Sequence, residues 1–151
     1  MTRNRILIIG YGNPGRGDDG LGPALAARIE ALNLPGVSVE SDYQLAVEHA
    51  ALAAEHDLVV FADAALDAEE PFYFRPLEAA PAPPKFTSHG ISPAEVLHLA
   101  SVCFKSYPAG YLLGIRAHFT EGFREGLSRE ALKNLDEALE HLRQFIASHR
   151  Q

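Results

Sequence analysis

Two short, branched apolar runs constrain this chain more than any other feature: RILIIG at residues 5–10 and DLVVFADAA at residues 57–65. Runs of this length, with no polar alternation, fit strands buried on both faces, which implies a parallel sheet covered by helices on each side. Between them, GPALAARIEALNL (residues 22–34) puts Leu25, Ile29 and Leu32 at helical spacing, with Pro23 suited to a first turn. PGVSVES (residues 35–41) reads as a turn entering a second strand, and LAVEHAALAAE (residues 45–55) reads as a second helix. PFYFRP (residues 71–76) is an edge or antiparallel strand bounded by prolines. SPAEVLHLASVCF (residues 92–104) starts with Ser92 and Glu95 in capping-box spacing, and GYLLGIRAH (residues 110–118) is a further strand. A long amphipathic helix covers residues 128–149, with Ser128 as its cap. The alternation predicts an α/β fold with a mostly parallel sheet.

At 151 residues the expectation is a single domain over 1–151, with enough chain for a sizeable core. A formal net charge of −7 argues against a nucleic-acid partner. The apolar start is too short for a signal peptide and no segment reaches membrane-spanning length, so a cytoplasmic location and no membrane partner are expected. The single cysteine, Cys103, excludes an internal disulfide and is expected to be a buried structural thiol. His49 and His56 share a spacing of seven around the second helix, without an evident partner for either.

Ligands of parallel sheets sit beyond the carboxyl ends of the strands. That rule selects Asp18 and Asp19 after the first strand, Asp42 after the second, Asp63 at the end of the third, and His89 from the proline-rich loop LEAAPAPPKFTSH (residues 77–89). Oxygen donors with one imidazole suit a borderline divalent cation such as zinc or nickel, which also relieves the repulsion between crowded carboxylates. Plainer roles exist for each: a helix cap for Asp19, loop-amide bonds for Asp63, a solvated loop position for His89. Gly10, Gly12 and Gly15 nominally match a dinucleotide fingerprint, but RGDDG separates them from the helix and puts two carboxylates where pyrophosphate would sit.

GYGNPGRGDDGLG (residues 10–22) closely resembles the G-x-G-N-(x)4-D-(D/E)-G-x-G signature of the hydrogenase maturation endopeptidases. The resemblance continues at VVFADAA (residues 59–65) and TSHGISPAEVL (residues 87–97). It implies a three-layer α/β fold with a twisted, mostly parallel five-stranded sheet flanked by helices. It also implies an endopeptidase that removes the C-terminal extension of a nickel–iron hydrogenase large-subunit precursor after nickel insertion. Asp19, Asp63 and His89 would then be the catalytic and metal-contacting residues, Asp18 would support the turn, and Asn13 would brace it. Asp42 is a candidate for activating water. The nickel would come with the precursor, while the free protein, expected to be a monomer, would bind divalent ions weakly. One departure stands out: Asp42-Tyr43-Gln44-Leu45 replaces the Asp-Gly-Gly-Thr-type turn of many members, pointing to a change in the precursor accepted.

Two other readings stay open on the same residues. A non-catalytic, metal-sensing partner of hydrogenase assembly would use the same ligands. GNPG after an apolar strand also resembles the peptidyl-tRNA hydrolases, although RGDDGLG lacks the histidine that family carries there and the chain is acidic.

Overall fold

The computed structural model describes residues 5–85 and 90–149. Strand β1 (Ile6–Tyr11) leads through a 3-10 turn (Gly17–Gly20) into helix α1 (Leu21–Ala31). Strand β2 (Val37–Asp42), helix α2 (Glu48–Ala54), strand β3 (Leu58–Ala65) and strand β4 (Phe72–Leu77) follow. Helix α3 (Pro93–Phe104), strand β5 (Ala109–Arg116) and helix α4 (Arg129–His149) complete the chain. The five strands form one sheet in the order β2-β1-β3-β5-β4, parallel except for β4, which pairs antiparallel with β5 at an edge.

Alternate residues of the central strands feed two cores, one on each face. Ile6, Ile8, Leu58, Val60, Leu113 and Ile115 pack under α1 and α4 with Leu25, Ile29, Leu135 and Leu142. Leu7, Ile9, Val59 and Phe61 face the other way, under α2 and α3, with Leu45, Ala50, Val96 and Leu97. Burial on both faces is why these strands read as unbroken apolar runs, each fully buried Leu, Ile or Phe contributing roughly 1.5–3 kcal/mol. The result is the expected three-layer α/β architecture with a five-stranded, mostly parallel sheet.

The local signals hold as well. Ser92 and Glu95 form a reciprocal capping box at the start of α3, and Ser128 accepts the Ala131 N–H (3.1 Å) at the start of α4. Pro76 is tolerated in β4 because that strand has a partner on one side only. Cys103 is a correction: it sits on the outer side of α3 and is exposed, not buried. Among the described residues no helix is long and apolar enough to cross a membrane.

The chain leaves β1 toward β2 on one side and toward β3 on the other, so the loops after β1 and β3 diverge at the carboxyl edge of the sheet. Such a switch point leaves a crevice, and the Asp19 and Asp63 carboxylates approach each other there.

Candidate functional site

The first loop is folded tightly onto itself. Asn13 accepts the Gly15 N–H through Oδ1 (2.9 Å), bracing the turn as expected, and Asp19 accepts the Asn13 N–H through Oδ2 (2.7 Å). Gly12 has φ +143°, and a side chain there would collide with the Asp19 carbonyl. Gly22, in the first turn of α1, lies against the backbone of Tyr11 and Ala62, so α1 approaches the sheet more closely than any side chain would permit. Asp19 makes no capping bond to α1; its bonded partner is the loop itself.

Adjacent aspartates in the 3-10 turn face different ways. Asp18 is fully buried and accepts four hydrogen bonds: from the N–H groups of His118 (2.9 Å), Phe119 (3.0 Å) and Ser128 (2.7 Å), and from the Ser128 hydroxyl (2.7 Å). Burial alone would raise its pKa, but these donors outweigh that and hold it below the ordinary carboxylate value. Two further backbone bonds, Gly17 N–H to Arg124 and Asp18 N–H to Phe119, fasten the same segments together. Asp18 therefore supports the turn, and it does so by tying the first loop to the segment entering α4.

Asp63 lies two residues before the end of β3, opposite Gly114 of β5 and one position past the last β1–β3 pair, Gly10 with Ala62. Burial pushes its pKa up to about 6, and the Asp19 carboxylate adds to the rise. The Ala64 N–H (2.8 Å) and the Tyr11 hydroxyl act in the opposite direction. Asp19 and Asp63, 44 positions apart in the chain, are thus brought within each other's field. Tyr11 was missed in the sequence. Its signal was parity: Leu7, Ile9 and Tyr11 share one face of β1, the same face on which Phe61 and Asp63 lie in β3.

Asp42 ends β2 and is half-exposed; its Oδ1 accepts the Tyr43 N–H (2.8 Å). It lines an open groove of about 290 Å³ together with Gly12, Pro14, Pro23, Ser41 and Tyr43. His49 corrects the expectation that it has no partner. Its ring is buried, Nδ1 accepts the Ala46 N–H (2.9 Å), and Nε2 faces Asp42 Oδ2 at 3.8 Å.

His89 lies outside the described residues. The chain just beyond it is placed: the Ile91 N–H donates to the Leu45 carbonyl (3.2 Å), and Gly90 packs against Leu45 and Gln44. Among the described residues, no three histidine, cysteine or carboxylate side chains converge closely enough to hold a metal ion.

The fold and the paired carboxylates define an α/β protein with an acidic site at the switch point of its sheet. No family model and no curated protein sequence matches the chain. Solved structures do. The chain is similar to the NiFe hydrogenase maturation protease HycI from Thermococcus kodakarensis KOD1, with 25% identity, TM-score 0.74, and coverage of 96% of this chain and 94% of that one. It is similar in fold to the hydrogenase maturating endopeptidase HybD from E. coli (23% identity, TM-score 0.76, 95% and 93% covered). An endopeptidase from Escherichia coli matches at 25% identity and TM-score 0.66, with 91% and 89% covered. The resemblance to the hydrogenase maturation endopeptidases is therefore one of the whole fold, extending well beyond the glycine-rich signature.

Proposed function

We propose that this protein is an endopeptidase of hydrogenase maturation, removing the C-terminal extension of a nickel–iron hydrogenase large-subunit precursor once nickel is in place. The observation that carries this reading is the pair Asp19 and Asp63, set at the switch point of a fold shared with proteases of that role. A buried carboxyl kept near another carboxylate is an unfavourable arrangement in the free protein, and a divalent cation offsets it. The nickel belongs to the substrate. Asp19 and Asp63, with His89, are the groups to meet it, and the oxygen and imidazole donors suit that ion.

Peptide hydrolysis also needs a polarised carbonyl and an activated water. Asp42, half-exposed in the groove beside the first loop, would take a proton from water as its oxygen adds to the scissile carbonyl carbon. The same proton then passes to the leaving amide nitrogen as the C–N bond breaks. In this reading Asp19, Asp63 and His89 meet the cation and Asp42 accepts the proton.

A site built to read a partner's metal should leave positions open for it. The purified protein is accordingly expected to carry substoichiometric, chelator-removable metal, and to shorten nickel-loaded precursor but not nickel-free precursor. Metal analysis with intact-mass measurement of both precursors checks this. A tightly held stoichiometric metal, with both precursors cut equally, would make it an ordinary metalloprotease. Binding of the precursor with no change in mass would make it an assembly partner without protease activity.

Tyr43 is 70% exposed and lines the groove, and Gln44 beside it is exposed too. Replacing both by glycine is expected to change which precursor is processed, by roughly tenfold in relative kcat/KM, while leaving nickel dependence intact. Competition between two precursors reads this out, and unchanged ratios would remove the loop's role in selection.

A further inference from the structure

We propose that His49 is a positioning residue, holding the Asp42 carboxylate at the groove through an Nε2–H directed at Oδ2. This deepens the endopeptidase reading and rests on it for the task given to Asp42.

The hydrogen bonds of His49 set its tautomer. Nδ1 of His49 accepts the Ala46 N–H at 2.9 Å, so Nδ1 carries no proton and the neutral ring must carry it on Nε2. That nitrogen faces Asp42 Oδ2 at 3.8 Å, longer than a hydrogen bond but directed at a carboxylate whose other oxygen is already fixed by the Tyr43 N–H. At that separation the attraction is between the ring N–H dipole and the carboxylate charge. Asp42 is 54% exposed while the imidazole is almost fully buried, so the ring is the fixed member of the pair.

The surroundings explain why a ring is needed here. The turn Asp42-Tyr43-Gln44-Leu45 is bulkier than the small-residue turn implied by the resemblance, and its Leu45 is inserted into the α2/α3 core. Beyond Leu45, the reciprocal bonds Ala46 N–H to His49 Nδ1 and His49 N–H to the Ala46 carbonyl (3.0 Å) fasten the loop to the start of α2. One side chain thereby bonds the backbone at Ala46 and faces the carboxylate at Asp42.

Two variants separate these duties. In His49→Asn the amide oxygen can take the place of Nδ1 and keep the loop bond, but the side chain is too short to reach Asp42. In His49→Gln the amide nitrogen can take the place of Nε2. His49→Asn is expected to stay folded and lose roughly ten- to a hundredfold in kcat with KM nearly unchanged, whereas His49→Gln recovers most of the rate. In the free protein, nitrogen-15 NMR should find the Nε2–H tautomer, and Asp42→Asn should move that resonance. A dominant Nδ1–H tautomer, a His49 signal indifferent to Asp42→Asn, or wild-type kcat in His49→Asn would each overturn the proposal. If the unmodified protein fails to cut nickel-loaded precursor, the endopeptidase reading falls, while the two NMR measurements still decide whether His49 holds Asp42.

Discussion

Asp63→Asn is expected to stabilise the free protein and to abolish precursor cleavage. Burial disfavours the charge of this carboxyl and Asp19 repels it, which pushes its pKa up to about 6 against 3.8 for an ordinary aspartate. The sign follows directly. A raised folded pKa means that this group favours folding most below 3.8, and that the advantage fades as pH rises through about 6. At neutral pH the ionised Asp63 is therefore a burden on the native state. Asparagine removes it, and a gain of about 1–3 kcal/mol follows from roughly 1.4 kcal/mol per pKa unit. Urea melts at neutral and acid pH check this, with wild type and variant converging in acid. Cleavage should fall at least a thousandfold, on the order expected when a buried charge that meets substrate is lost. A variant that is no more stable at neutral pH, or that still processes precursor, would contradict the role given to Asp63.

Asp18→Ala should be strongly destabilising, costing about 3–5 kcal/mol. It strands four donors at once: three backbone N–H groups and the Ser128 hydroxyl, two of the four on the buried Ser128. The lowered pKa of Asp18 sets the pH behaviour. Its contribution is present in full at neutral pH and is lost as pH falls below the ordinary carboxylate range. Denaturant midpoints of variant and wild type should differ widely at neutral pH and approach each other in acid. An unchanged midpoint at neutral pH would show the four bonds to be dispensable. Below the melting point of both variants, Asp19→Asn should still impair cleavage more than Asp18→Asn, since only Asp19 faces Asp63.

The two buried runs and the alternation of elements made the fold legible from the sequence, because burial on both faces leaves a periodicity that survives without coordinates. The neighbourhood of Asp19 and Asp63 was legible through the rule that ligands gather at carboxyl strand ends. The separate jobs of Asp18 and Asp19 were expected from the resemblance, but the partners that give Asp18 its job were not legible. Identical side chains one residue apart are distinguished only by what lies across the loop, and the partners of Asp18 are about 100 to 110 residues away. His49 was hidden for a similar reason: its spacing along α2 says which face it shares, but not that Ala46 and Asp42 close around it. Cys103 was misread because an apolar helix sequence does not reveal which flank stays uncovered. α3 buries Val96, Leu97 and Ala100 and leaves Val102, Cys103 and Phe104 outside.

The two cores have a practical meaning for redesign. The core under α1 and α4 holds the larger set of buried residues and contains no residue of the groove loop, whereas Leu45 and α2 belong to the smaller core opposite. Residues 42–54 run from the last residue of β2 through α2 and supply no buried residue to the rear core, so replacing them is expected to leave that core intact. Transplanting that stretch from a protease of different precursor preference should carry the preference with it, provided the incoming segment refills the space of Leu45, Ala50 and Ala53.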